Sequence, residues 1–245
     1  MKLTSAFALA AVCQAAAALA APVDQIEKRD TVKGFDISHY QPTVNYQGAY
    51  NSGARFVIIK VTQYLSPPNR PSIDTLDHPD IQATEGTTYT DPKFTQHYNG
   101  ATSAGLIRGG YHFARPGSSP GAAQATYFLA HGGGWSSDGR TLPGMLDLEY
   151  GTASQGGTCH GLSQSSMVNW ITEFVNTYHG KTSRWPMIYT TNDWWVTCTG
   201  NSQAFNTKSP LVLARYSSQG PGTVPGGWPF QTIWQNSDSY AYGGR

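Results

Sequence analysis

Leu142-Pro-Gly-Met-Leu-Asp-Leu-Glu-Tyr150 sets two carboxyl groups into an otherwise apolar run. Pro143-Gly144 before it and Gly151 after it are turn residues, so the run reads as a short buried strand. Strand side chains alternate with period two, which puts Asp147 and Glu149 on one side. Ionised carboxylates are costly to bury unless they are paired or used. These two are therefore either satisfied structural acids or a catalytic pair at the carboxyl end of a barrel strand, where α/β barrels carry out chemistry. Two neighbouring carboxyls in unlike surroundings divide into a proton donor and an anion, as glycoside hydrolysis requires.

Around that stretch, strand and helix patterns alternate. Strands are expected at Val32–Ser38, Arg55–Lys60, Leu106–Ala114, Pro186–Thr190, Leu211–Tyr216 and Phe230–Gln235. Helices are expected from Tyr46 to Gly53, after the Asp91-Pro92 start to Gly105, and from Gly121 to His131. A further helix runs from about Ser165 to His179, with Met167, Trp170, Ile171, Phe174, Val175 and Tyr178 as its core stripe and Gly180 as its stop. The order predicts an α/β fold, a single irregular (β/α) barrel like a TIM barrel, with weaker helices in its second half.

The chain has 245 residues, enough for one large domain, and a net charge of +1, which argues against a nucleic-acid partner. Only 13% of residues are charged and 12% are aromatic, a balance that suits a secreted carbohydrate-handling protein. Residues 1–20 read as a signal peptide, with Lys2 as the basic start and Ala18-Leu19-Ala20 as the cleavage site. Residues 21–29 read as a propeptide removed after Lys28-Arg29, leaving 30–245 as the working domain. No membrane anchor is expected, because the apolar run is short and rich in alanine. In an oxidising compartment Cys159 and Cys198 most simply form one disulfide, tying the loop after the acidic strand to the loop after the Ile188 strand. The histidines are scattered, so no metal and no cofactor are expected, and the protein is expected to be a monomer.

With Asp36, Asp147 and Glu149 in view, the chain resembles the glycoside hydrolase family 25 lysozymes of the Chalaropsis type, especially secreted fungal members. Gly34-Phe-Asp-Ile-Ser38 looks like the opening strand, Gly105 to Ala114 is similar to the third, and Met145 to Glu149 is the acidic strand. Ile188 to Thr191, Ala214-Arg-Tyr216 and Ile233 to Asp238 follow in the family's order. The resemblance implies an extracellular enzyme whose partner is bacterial peptidoglycan, and whose reaction cleaves the β-1,4 bond between N-acetylmuramic acid and N-acetylglucosamine. It implies Glu149 as general acid and Asp147 as the residue assisting the substrate's acetamido group, with Asp36 and Asp238 as the other site acids. An Asp acting directly as nucleophile or base stays open. Four acids in one cleft would keep Glu149 protonated into mildly acidic conditions, so an acidic activity optimum is expected.

Tyr111, Phe113, Tyr189, Tyr216 and Trp234 lie at or near strand ends, as rings that bind sugars would, and each is equally readable as core. Gln235 is a candidate for sugar hydroxyls, and His112 and Arg215 for binding or orienting acids. Two other readings remain: another glycosidase with the same acidic strand, such as a chitinase, and a non-catalytic glycan-binding or defective family member.

The second of these comes from two departures. Residues 61–82 hold four prolines and three aspartates with no usable period, and they separate Lys60 from Ala83-Thr-Glu-Gly86. Deleting them restores the family's Lys-x-Thr-Glu-Gly motif, so this stretch is expected to be a retained intron. The chain also stops at Arg245, short of the family's final segment, and its C-terminal end is read as truncated. Transcript sequencing across the codons for Lys60 to Ala83 checks the first expectation: mature reads should lack the stretch, and reads that span it without a gap would refute it.

Overall fold

A computed structural model describes residues 31–65 and 85–240, apart from the side chains of 62–65 and 85–89. The expected signal and propeptide, most of the interruption at 66–82, and the last five residues lie outside the described part. Seven strands run parallel and side by side: β1 Lys33–Ile37, β2 Ala54–Leu65, β4 Ile107–Phe113, β5 Met145–Asp147, β6 Met187–Thr190, β7 Leu211–Ala214 and β8 Ile233–Gln235. One more, β3 Glu85–Thr90, pairs antiparallel with β2. Helices α1 Tyr46–Asn51, α2 Phe94–Ser103, α3 Gly121–Ala130, α4 Gln164–Thr182 and α5 Asn192–Thr199 connect them. The architecture is the expected irregular (β/α) barrel, and the β7–β8 connection has no helix among its described residues.

Parallel strands covered on both faces need apolar residues throughout, and β6 and β7 are buried at every position. The outward-facing residues Ile59, Leu146, Ile188 and Leu213 join the helix stripes in one large core. All six predicted α4 core residues belong to it. A second, smaller cluster fills the barrel interior with Ile58, Met145, Met187, Tyr189, Val212 and Ala214. Its floor is tight: a Cβ on Gly34 would meet the Phe56 ring at 2.4 Å, so glycine at that inward position makes room for the ring.

Several element ends differ from expectation, each for a local reason. Helix α2 starts at Phe94, entered through a turn in which Asp91 Oδ1 accepts from Lys93 N at 2.8 Å, as expected of a capping Asp, while its Oδ2 accepts from His39 N at 2.9 Å. Helix α4 passes through Gly180 and ends where Ser183 takes a left-handed conformation, φ 56°. Strand β2 does not stop at Lys60. Val61 is fully buried and the strand runs to Leu65, with a register shift against β4 between Lys60 and Thr62. The first residues of the interruption therefore form strand.

Among the described residues no backbone ladder joins β8 to β1. Side chains bridge that seam: Gln235 Nε2 donates to Asp36 Oδ2 at 2.8 Å, and the rings of Phe35 and Tyr240 stack at 5.2 Å.

Candidate active site

Period-two alternation on each strand brings its last inward residue to the carboxyl end of the barrel. Those residues are Asp36 on β1, Lys60 on β2, Tyr111 and Phe113 on β4, Asp147 on β5, Tyr189 on β6 and Gln235 on β8. Asp147 is 5% exposed, and Glu149, two residues further on and past the end of β5, opens onto the groove. Leu148 between them is buried and its N–H donates to the Tyr189 carbonyl at 3.0 Å, which turns both acids to the same side. The two carboxyls are hydrogen-bonded to each other. Asp147 Oδ1 is buried and has no hydrogen-bond partner.

Burial pushes the Asp147 carboxyl well above the usual carboxylate range, and the charges of Glu149 and Asp36 add to that, while Lys60 opposes it. Crowding by protein also raises Glu149, but the hydrogen bond with Asp147 and the charges of Lys60 and Arg115 pull against it. Being open to solvent, Glu149 shifts less. The two carboxyls therefore titrate as a coupled pair, both raised and with burial as the largest cause for each. Asp36 is raised by desolvation, partly offset by its hydrogen bond from Gln235. Lys60 is 7% exposed and its ammonium is weakened by burial, which the charges of Asp147, Asp91 and Glu149 counter.

The predicted binding residues fall into three groups. Tyr111 and Tyr189 line the site, and burial next to these carboxyls holds both hydroxyls protonated. The Tyr189 hydroxyl donates to Gln235 Oε1 at 2.8 Å, so Gln235 is held at both ends of its amide, between Tyr189 and Asp36. Phe113 seats cations, with Lys60 Nζ 5.0 Å and Arg115 Cζ 4.8 Å from its ring centroid. The rim holds the rest. Tyr216 is 59% exposed, Arg215 donates from Nη1 to the Gly220 carbonyl at 2.9 Å, and Trp234 Nε1 donates to the Arg215 carbonyl at 2.9 Å. Asp238 is exposed there and its charge acts on Tyr216. His112 is not in the groove: it is fully buried, its Nε2 donates to Gln124 Oε1 at 2.8 Å, and burial lowers its pKa to about 4.

Sequence reasoning passed over Lys60 and Arg115 as site residues. The alternation Phe56, Ile58, Lys60 on β2 is the signal that would have found Lys60; Arg115 lies beyond β4 and carries no such signal. The loop that bears Glu149 is braced on three sides. Cys159 and Cys198 form a disulfide with Cα atoms 5.4 Å apart, His160 Nε2 donates to the Glu149 carbonyl at 3.0 Å, and the Tyr150 hydroxyl donates to Asp193 Oδ2. Among the described residues no group of His, Cys, Asp and Glu is arranged to hold a metal ion.

Inward carboxyls that meet at the strand ends of a barrel beside aromatic side chains suit glycoside hydrolysis. Comparison narrows it: residues 79–245 match the model for glycosyl hydrolases family 25, and the chain belongs to that family. It is 58% identical over 217 residues to the N,O-diacetylmuramidase of Chalaropsis sp., covering 87% of this chain and 92% of that one. It is 52% identical to the N,O-diacetylmuramidase of Arthroderma benhamiae, covering 96% and 90%. The solved family GH25 lysozyme of Aspergillus fumigatus shares 56% identity with a TM-score of 0.75, over 87% of this chain and 90% of that one. The chain is a glycoside hydrolase of the lysozyme type. The family match takes up at residue 79, near the end of the interruption, whereas the 217-residue alignment extends to both sides of it.

Because both carboxyls are held above the usual carboxylate range, activity should be greatest in acid and fall as pH rises through the raised values. Folding stability should fall over the same interval, since the unfolded carboxyls release protons that the folded pair keeps. Lys60→Met removes a charge that lowers both carboxyls, so the alkaline limb of the pH–rate profile should move to higher pH. A limb that stays in place, or moves down, contradicts this electrostatic account.

Proposed function

We propose that this chain is a secreted, monomeric lysozyme that hydrolyses the β-1,4 bond between N-acetylmuramic acid and N-acetylglucosamine in bacterial peptidoglycan. The observation that supports the residue roles is the pairing of two carboxyls at the carboxyl end of the barrel, Asp147 buried and Glu149 exposed two residues further on. The Asp147 carboxylate is an acceptor that fits the N–H of a 2-acetamido group. When the N–H arrives it favours ionised Asp147 and leaves the proton on Glu149. Glu149 then protonates the glycosidic oxygen as the C1–O bond breaks, and the acetamide carbonyl oxygen bonds to C1 to give an oxazolinium ion. Asp147 stabilises the positive charge that develops on the acetamide. Water next adds to C1, Glu149 takes its proton, the oxazoline opens, and the sugar leaves with its configuration retained. Asp36, fixed by Gln235, adds negative charge facing the oxocarbenium-like centre.

Secretion, with residues 1–20 as signal and 21–29 as propeptide, belongs to the same reading. The Cys159–Cys198 bond supports it, because disulfides persist in oxidising compartments.

Glu149→Gln should lower kcat by about 10²–10⁴ with little change in KM, the usual range for loss of a general acid. Asp147→Asn should also lower kcat, and proton NMR of fresh product should show retention at the anomeric carbon. An inverted product would contradict the acetamido route, and an active Glu149→Gln enzyme would contradict the assignment of the acid.

A further inference from the structure

Opposite the groove, the barrel carries a charged face of the other sign. Parallel strands bring their starts to one end, where Lys33 opens β1, Arg55 lies at the start of β2, and Arg140, Arg184 and Lys208 sit in the segments leading into β5, β6 and β7. Lys181, in the last turn of α4, joins them. All six side chains are exposed. Among the described residues, the acid at this end is Asp138, and it is held by Arg108, whose Nη2 donates to Asp138 Oδ2 at 2.9 Å. The ion pairs among the described residues, Arg108–Asp138 and His39–Asp91, involve none of the six.

Two indoles stand among these cations. The Arg184 guanidinium lies 4.3 Å from the Trp135 ring centroid, and Lys208 Nζ lies 5.2 Å from that of Trp185, which also stacks on His179 at 3.9 Å. Both tryptophans are half-buried. Local roles explain part of this: Lys181 and His179 complement the carboxyl end of the α4 dipole. Arg55 Nη1 donates to the Tyr50 carbonyl near the end of α1 and Arg140 Nη2 to the Thr102 carbonyl in the last turn of α2, which leaves Lys33, Arg184 and Lys208 without a helix end to complement.

We propose that this end of the barrel is a docking surface for the anionic phosphodiester polymer that is attached to peptidoglycan in many bacterial walls. Cations spaced around the strand starts contact successive phosphates, and the two indoles hold Arg184 and Lys208 in place for those contacts. Docking at the strand starts leaves the opposite end of the barrel free for the glycan strand. The inference rests on the wall-lysing reading above.

The test uses the Glu149→Gln chain, so that lysis does not obscure binding, sedimented with purified walls that carry the polymer or have been stripped of it by hydrofluoric acid. Adding Lys181→Gln, Arg184→Gln and Lys208→Gln should weaken retention on polymer-bearing walls about tenfold at low salt, flatten the salt dependence, and leave retention on stripped walls unchanged. In the chain with Glu149 intact, the three changes should not alter hydrolysis of soluble peptidoglycan fragments, which also reports on folding. If that activity drops, Arg184→Gln and Lys208→Gln taken singly decide by the same wall comparison. Equal retention by the variant, an equal loss on stripped walls, or parent binding to duplex DNA or anionic vesicles as tight as to polymer-bearing walls overturns the proposal. Failure of the lysozyme reading looks different: the unsubstituted chain then hydrolyses neither soluble fragments nor walls, whatever it binds.

Discussion

A carboxyl group buried at the end of a barrel strand is the constraint on which the rest of the site depends. Asp147 can stay there only as a neutral acid, as half of a shared-proton pair, or against a cation, and the site supplies parts of all three. Glu149 shares the proton, Lys60 partly offsets the charge, and one oxygen is left without a donor. An unsatisfied buried acceptor costs on the order of 1–3 kcal/mol, a cost that a substrate N–H would remove.

Closure of the barrel uses the same groups. The β1–β8 seam is bridged by Gln235, which takes a hydrogen bond from Tyr189 and gives one to Asp36, a residue 199 positions away. The carboxylate that borders the groove is therefore part of what holds the sheet edges together. A substitution at Asp36 or Gln235 would act on architecture and chemistry at once, and stability would have to be measured beside rate to separate the two.

Much of this was legible in the sequence where the signal was local. The α4 stripe from Met167 to Tyr178 could be read residue by residue because burial repeats every turn. Asp147 and Glu149 could be paired because the period of a strand is fixed, even though the hydrogen-bonded part of β5 is only three residues long. The bonds of Gln235 to Tyr189 and Asp36 are not legible in the sequence, because nothing near it in the chain announces either partner. Lys60 was read as one letter of a motif, although its alternation with Phe56 and Ile58 points it into the barrel. The extension of β2 through Val61 was hidden by the prolines that follow it, which suggested no regular element at all.

The shared proton can be measured directly. With carboxyl carbons labelled in aspartate and glutamate, NMR titration of the resting enzyme should show Asp147 and Glu149 titrating as a coupled pair, both above their ordinary ranges, and Asp147→Asn should remove the coupling from the Glu149 curve. Two independent transitions at ordinary carboxylate values, with Glu149 unaffected by the loss of Asp147, would contradict the account.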